Sequence, residues 1–97
     1  MALPDDVVRW VSRHFSGVDV AAALATLGSA VDQTGELVSP RLVRCAALGS
    51  HGNLEQLRLL VVDLRTDWRD VIMRGEYEMR DGKLVQVYDL NSPIADA

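Results

Sequence analysis

The sequence predicts an α+β fold: a mostly helical small domain of four to five short helices with a C-terminal β-hairpin. Three observations predict it. Apolar residues recur at helical spacing in several runs, helix-capping residues stand just before these runs, and Asp81-Gly82 lies between two short segments typical of β-strands. The 97 residues suit one domain, 1–97, in which we expect 91–97 to form a loose C-terminal tail.

Composition and charge bear on the class of protein. The net charge is −4, and the 10 Lys and Arg residues are scattered among 14 Asp and Glu, which argues against nucleic-acid binding because that depends on basic clusters. No apolar run approaches the roughly 20 residues of a membrane span, and the acidic N-terminus lacks a signal-peptide layout. With one cysteine, these features predict a cytoplasmic protein, and the excess of arginine over lysine is typical of GC-rich bacterial genomes.

The first helix is predicted after Pro4, because proline and acidic residues favour a first helical turn. Its apolar side, expected in the core, contains Val7, Val8, Val11 and Phe15. Its polar side, expected in solvent, contains Asp6, Arg9, Ser12 and Arg13. We expect Gly17 to end the helix in the left-handed conformation.

Two further helices are predicted before residue 49. Asp19 is a candidate N-cap for the second helix, whose apolar stripe comprises Val20, Leu24, Leu27 and Val31. Residues 32–35 are expected to form a turn. Ser39-Pro40 then supplies an N-cap followed by proline at the first helical position, which predicts a third helix through Leu48.

The fourth helix begins after Asn53, which with Gln56 resembles a capping box. One apolar side comprises Leu54, Leu57, Leu60, Val61 and Leu64, whereas Leu59 and Val62 fall well off this stripe. A helix that is apolar on two sides needs two partners, which are either the rest of the fold or a second chain. Thr66 and Asp67 are candidate caps for a new helix, so 54–74 forms either one helix or two. Gly75 is the expected stop.

Two registers are possible for the hairpin. A two-residue Asp81-Gly82 turn pairs Met79 with Leu84 and Tyr77 with Gln86, which mixes polar and apolar residues on each face. A bulge at Gly82 pairs Met79 with Lys83 and Tyr77 with Val85, which separates them better. We therefore predict the bulged register, with its apolar face packed on the helices because two strands alone are marginal in water.

Candidate reactive groups are few. Cys45 and His51 resemble a nucleophile with its base, but Cys45 lies within an apolar helix, where a free cysteine is usually inert. The loop before the fourth helix is the best candidate for a small-anion site, because helix N-termini attract anions, and it comprises Ser50, His51, Gly52 and Asn53. A plain capped loop explains the same residues.

Three carboxylates, Asp63, Asp67 and Asp70, would share one face if the fourth helix continued unbroken, and oxygen ligands suit Mg²⁺ or Ca²⁺. Caps and ion pairs, such as Asp70 with Arg74, explain them without a metal. We predict no metal, no cofactor and no catalytic residue.

These observations favour a non-enzymatic protein–protein interaction or regulatory module that binds a protein partner or itself as a homodimer. The expected interface residues are Leu59, Val62, Trp68 and Tyr88. The alternative is a small enzyme or anion- or ligand-binding domain that uses the 49–53 loop. That alternative requires His51 to converge with Asp67, Arg69 and Asp70 in one pocket.

Overall fold

The computed structural model describes residues 3–31, 34–36 and 38–95. Over these residues the chain is a small α+β domain of five helices followed by one two-stranded antiparallel hairpin, as predicted. The elements are α1 (Asp5–His14), α2 (Val20–Gly28), α3 (Pro40–Gly49), α4 (Leu54–Thr66), α5 (Trp68–Glu76), β1 (Tyr77–Arg80) and β2 (Lys83–Gln86). Among the described residues, no helix is both long and apolar enough to span a membrane.

Helix α3 is the central element of the fold. Its last seven residues, from Val43 to Gly49, are all buried, and its contact with α5 is the most extensive between any two elements. The predicted start is confirmed, because Pro40 opens the helix and the Ser39 hydroxyl accepts a hydrogen bond from the Leu42 N–H at 3.4 Å.

Helix α4 has the predicted cap and the predicted two-sided character. The Asn53 side chain accepts a hydrogen bond from the Gln56 N–H at 3.0 Å. Leu57, Leu60 and Leu64 are buried, whereas Leu59 and Val62 are 50% and 61% exposed. The chain then breaks at Asp67 (φ −147°, ψ 75°), so residues 54–74 belong to two helices rather than one.

The expected stop at Gly75 is wrong, because α5 continues through Glu76. A Cβ atom at position 75 would lie 2.5 Å from the Cα and 2.7 Å from the carbonyl oxygen of Cys45. Glycine is therefore required here for the close approach of α5 to α3, not for the termination of a helix.

The ends of the first two helices also differ from expectation. Helix α1 ends at His14, and the next residue, Phe15, is extended (φ −92°, ψ 152°). Among the described residues, the glycines with positive φ are Gly35, Gly52 and Gly82, so Gly17 does not have the expected left-handed conformation. Val31 lies beyond the end of α2 rather than on its stripe. Within the predicted 32–35 turn, Asp32 and Gln33 lie outside the described residues.

The predicted hairpin register is wrong. Met79 pairs with Leu84 and Tyr77 with Gln86, as a two-residue turn requires. Both turn residues are left-handed, with φ of 50° at Asp81 and 74° at Gly82, which matches the twist of a hairpin. Both strands are largely exposed, so the separation of apolar from polar residues does not select the register. For the same reason, the described strands do not show the expected apolar face packed on the helices.

Asp6 does not have the solvent position expected for it, and it contacts Ile94, which belongs to the segment expected to be a loose tail. Asp6 is buried and accepts hydrogen bonds from Arg44 at 2.9 and 3.3 Å. It also accepts one at 3.0 Å from the backbone N–H of Ile94, which is itself buried. The segment after β2 is therefore attached to α1 through residue 94, and residues 96–97 lie outside the described residues.

Candidate functional site

A pocket of about 570 Å³ lies between α1, the α3–α4 loop, the end of α5 and the segment around the hairpin; we call it the histidine pocket. It is lined by Trp10, His14, Leu48, His51, Arg74, Gly75, Tyr77, Glu78, Val87 and Tyr88. The lining includes both histidines of the chain and three of its five aromatic residues. Its volume is within the range of about 300–1,000 Å³ that is typical of small-molecule sites.

The imidazole of His14 is held against the wall of this pocket by two contacts. It stacks on the Trp10 indole, with ring centroids 4.3 Å apart and an angle of 14° between the planes. Its Nδ1 lies 2.9 Å from the Trp10 carbonyl oxygen. Because a carbonyl oxygen only accepts hydrogen bonds, Nδ1 is the protonated nitrogen in that contact, and Nε2 is the nitrogen left for a ligand.

The predicted anion loop contributes less than expected. Ser50 is fully buried, and its hydroxyl donates to the Ala47 carbonyl at 2.6 Å, while the Asn53 side chain caps α4. Both polar side chains therefore form hydrogen bonds with backbone groups. His51 is the loop residue that lines the histidine pocket. Its backbone is left-handed (φ 53°), and a Cβ at the next residue, Gly52, would lie 2.4 Å from the His14 carbonyl oxygen.

None of the three residues that the alternative function required beside His51, namely Asp67, Arg69 and Asp70, lines the histidine pocket. The lining of the histidine pocket contains His51 but neither Asp67 nor Arg69. Asp70 is linked to the pocket indirectly, because it forms the predicted ion pair with Arg74 (3.2 Å), which does line it. The guanidinium of Arg69 instead lies 5.3 Å from the centre of a Trp68 ring.

The three-carboxylate arrangement does not form as proposed, because the break at Asp67 separates Asp63 from Asp70. Within the described residues, no group of three or more His, Cys, Asp or Glu side chains is arranged to hold a metal ion.

The Cys45–His51 interpretation has no support in the environment of the thiol. Cys45 is fully buried, whereas His51 is exposed. Burial and the nearby carboxylate of Glu76 raise the pKa of the Cys45 thiol to about 12, and the sulfur lies 3.8 Å from Glu76 Oε2. A thiol in this state is not a nucleophile at neutral pH.

Glu76 is a buried polar centre that no sequence pattern indicates. Its buried carboxylate accepts two hydrogen bonds from Arg41, at 2.8 and 2.9 Å, one from the Gln86 side chain at 3.1 Å, and one from the Leu90 N–H at 3.2 Å. The bonds from Arg41 are the main reason why the pKa of Glu76 is lowered despite its burial. No local pattern marks this residue, because its partners are 10 to 35 positions away.

A second concave surface, the Trp68 groove, has a volume of about 350 Å³ and is lined by Val38, Ser39, Arg41, Leu42, Leu64, Trp68 and Ile72. Its two polar lining residues are already bonded, since Ser39 caps α3 and Arg41 pairs with Glu76. The groove therefore presents a mainly apolar surface, with the half-exposed indole of Trp68 at its edge.

The four predicted interface residues are all exposed, but they lie in three places. Trp68 lines the Trp68 groove and Tyr88 lines the histidine pocket. Leu59 and Val62 lie on the outer side of α4, where Val62 is about 160° around the helix from Leu64, a residue of the groove.

Comparisons with protein-family models, with curated proteins and with solved structures found no match to this chain.

Proposed function

We propose that this protein is a non-enzymatic interaction module that binds a second copy of itself through the Trp68 groove. The observation that carries the proposal is that Trp68, which lines an apolar groove, is 48% exposed. Tryptophan is among the residues that contribute most to protein interfaces when it fills an apolar pocket on a partner.

A second copy suits this surface because one region supplies both a half-exposed tryptophan and an apolar depression. A two-fold axis near Trp68 would insert each indole into the groove of the partner, which makes the contact self-complementary and closed. Burial of the groove also leaves no unpaired charge at Arg41, since its guanidinium is already paired with Glu76.

The test is the solution mass from light scattering over a concentration series. We expect a wild-type dimer and a folded, monomeric Trp68→Ala variant, with folding checked by circular dichroism. Val18→Asp is the matched control, because Val18 is 89% exposed and belongs to neither concave surface, and it should remain dimeric.

A second variant, Leu59→Asp with Val62→Asp, examines the outer side of α4. Under the proposal this double variant also remains dimeric. If it is monomeric while Trp68→Ala is dimeric, the interface is on α4 and the groove is not the contact. A wild-type protein that stays monomeric at millimolar concentration would exclude self-association altogether.

The proposal includes a cytoplasmic location in a bacterium. Its support is the arginine-rich, lysine-poor composition and the absence of any cysteine besides Cys45, which leaves the chain without an internal disulfide.

A further inference from the structure

The elements that form the histidine pocket are held against one another by close contacts at three glycines. A Cβ at Gly52 would meet the carbonyl oxygen of His14, and a Cβ at Gly75 would meet the backbone of Cys45. Gly49 similarly lies against Arg74, where an added Cβ would be 3.3 Å from the Arg74 Cβ. These three glycines let the walls approach directly, so the pocket is formed without a ligand, and binding needs little rearrangement.

The pocket carries charges of both signs together with aromatic surface. Arg74 and Glu78 both line it, beside the rings of Trp10, Tyr77 and Tyr88. Each charged residue has a neighbouring partner, Asp70 for Arg74 and Arg80 for Glu78, and all four side chains are about half exposed. Exposed ion pairs of this kind contribute little to stability, so a ligand can replace either partner at small cost.

From this arrangement we infer that the histidine pocket binds a small zwitterion with an aromatic ring, such as a free aromatic amino acid. The carboxylate of the ligand pairs with the Arg74 guanidinium, and its ammonium pairs with the Glu78 carboxylate. The ring packs against the aromatic wall, where Tyr88 is half exposed. This inference is independent of self-association, because the histidine pocket and the Trp68 groove are lined by different residues.

The experiment compares three ligands that share a phenyl ring and a two-carbon chain: L-phenylalanine, 3-phenylpropionate, which lacks the ammonium, and 2-phenylethylamine, which lacks the carboxylate. Each is titrated into the ¹⁵N-labelled full chain, and amide shifts are followed by NMR. We expect L-phenylalanine to shift the resonances of His51, Arg74 and Glu78, and each analogue to bind about tenfold more weakly or worse, as loss of a charge-assisted hydrogen bond predicts.

Variants at the two charges make the test specific. Arg74→Gln should weaken L-phenylalanine about tenfold without changing 2-phenylethylamine, and Glu78→Gln should weaken it similarly without changing 3-phenylpropionate. Arg58→Gln is the matched control, because Arg58 is an exposed arginine in an ion pair with Glu55 on α4, outside the pocket. Equal affinity for all three ligands, tighter binding of either analogue, or no binding of L-phenylalanine would overturn the inference.

Discussion

Gly75 is the residue on which the close contact between α3 and α5 depends. It is buried on α5, and the backbone of Cys45 on α3 occupies the space in which a side chain at position 75 would lie. Backbone atoms cannot move aside as the end of a flexible side chain can, so any larger residue must push the two helices apart. Because α3 and α5 form the most extensive helix contact, this separation affects the whole core.

We therefore predict that Gly75→Ala lowers the free energy of unfolding by at least about 2 kcal/mol, the cost of overpacking a rigid core. Urea denaturation followed by circular dichroism measures the change. Gly28→Ala is the control: nothing lies within 4 Å of its added Cβ, and we expect stability equal to or about 0.5 kcal/mol above wild type. Equal stability of Gly75→Ala and wild type would mean that the α3–α5 contact is looser than described.

The hairpin shows how a turn can decide an element's register. Asp81 and Gly82 both adopt the left-handed conformation, and a two-residue turn of this type sets the pairing of every residue beyond it. The burial pattern has little influence, since most of both strands is exposed. The turn is therefore the main local determinant of the register.

For this element we predict nuclear Overhauser contacts between the side chains of Met79 and Leu84, and between those of Tyr77 and Gln86. Contacts of Met79 with Lys83 and of Tyr77 with Val85 would instead indicate the bulged register.

We also predict that Gly82→Ala destabilises the hairpin by about 1–2 kcal/mol, because an L-residue is strained at φ 74°. The hairpin should then fray more often, which is measured as faster hydrogen exchange of the strand amides. Asp81→Asn should leave that exchange unchanged, since asparagine tolerates the left-handed region.

At the scale of the whole molecule, two buried carboxylates attach the C-terminal segment to the helical body. Asp6 on α1 binds Arg44 and the Ile94 N–H, while Glu76 on α5 binds Arg41 and the Leu90 N–H. The two groups are joined at Leu90, because its carbonyl accepts a hydrogen bond from Arg44 at 3.3 Å. The segment after β2 thus connects the first and last helices through ionised side chains.

This arrangement makes stability depend on pH. Burial alone would raise the pKa of Asp6, but the hydrogen bonds from Arg44 and Ile94 outweigh it and lower that pKa; hydrogen bonds from Arg41 lower the pKa of Glu76. As pH falls, the unfolded chain therefore takes up these protons before the folded protein does. Stability from both groups is present at neutral pH and is lost progressively below about pH 5.

We predict that Asp6→Asn and Glu76→Gln each lower the free energy of unfolding at pH 7 by about 1.5–3 kcal/mol, the range for hydrogen bonds to charged groups. The difference from wild type should shrink as pH falls from 5 to about 3, as the wild-type carboxyls become protonated. Urea unfolding at several pH values measures both effects. A difference that stays constant with pH would show that neither carboxyl titrates abnormally.

Structural elements that depend on interactions between residues close together in the chain were predictable from the sequence. The caps at Ser39 and Asn53 satisfy backbone groups within three residues, so their residue types locate α3 and α4 directly. The amphipathic spacing of α4 likewise placed Leu59 and Val62 off its apolar stripe, because helical periodicity is a property of neighbouring residues, and in the structure both are exposed. The surface that carries the proposed dimer was identified only in part, since Trp68 was named but the groove beside it was not.

The tertiary structure alone decided the features that join distant parts of the chain. The helical spacing places Asp6 on the polar side of α1, which is expected to face solvent. The burial of Asp6 is explained only by its pairing with Arg44, which is 38 residues away. The histidine pocket likewise brings together His14, His51 and Tyr88, which no local spacing relates. The helices, the caps at Ser39 and Asn53 and the presence of a hairpin follow from the sequence because they depend on short-range hydrogen bonds and periodicity. The buried ion pairs and both concave surfaces follow from packing because they depend on which elements meet.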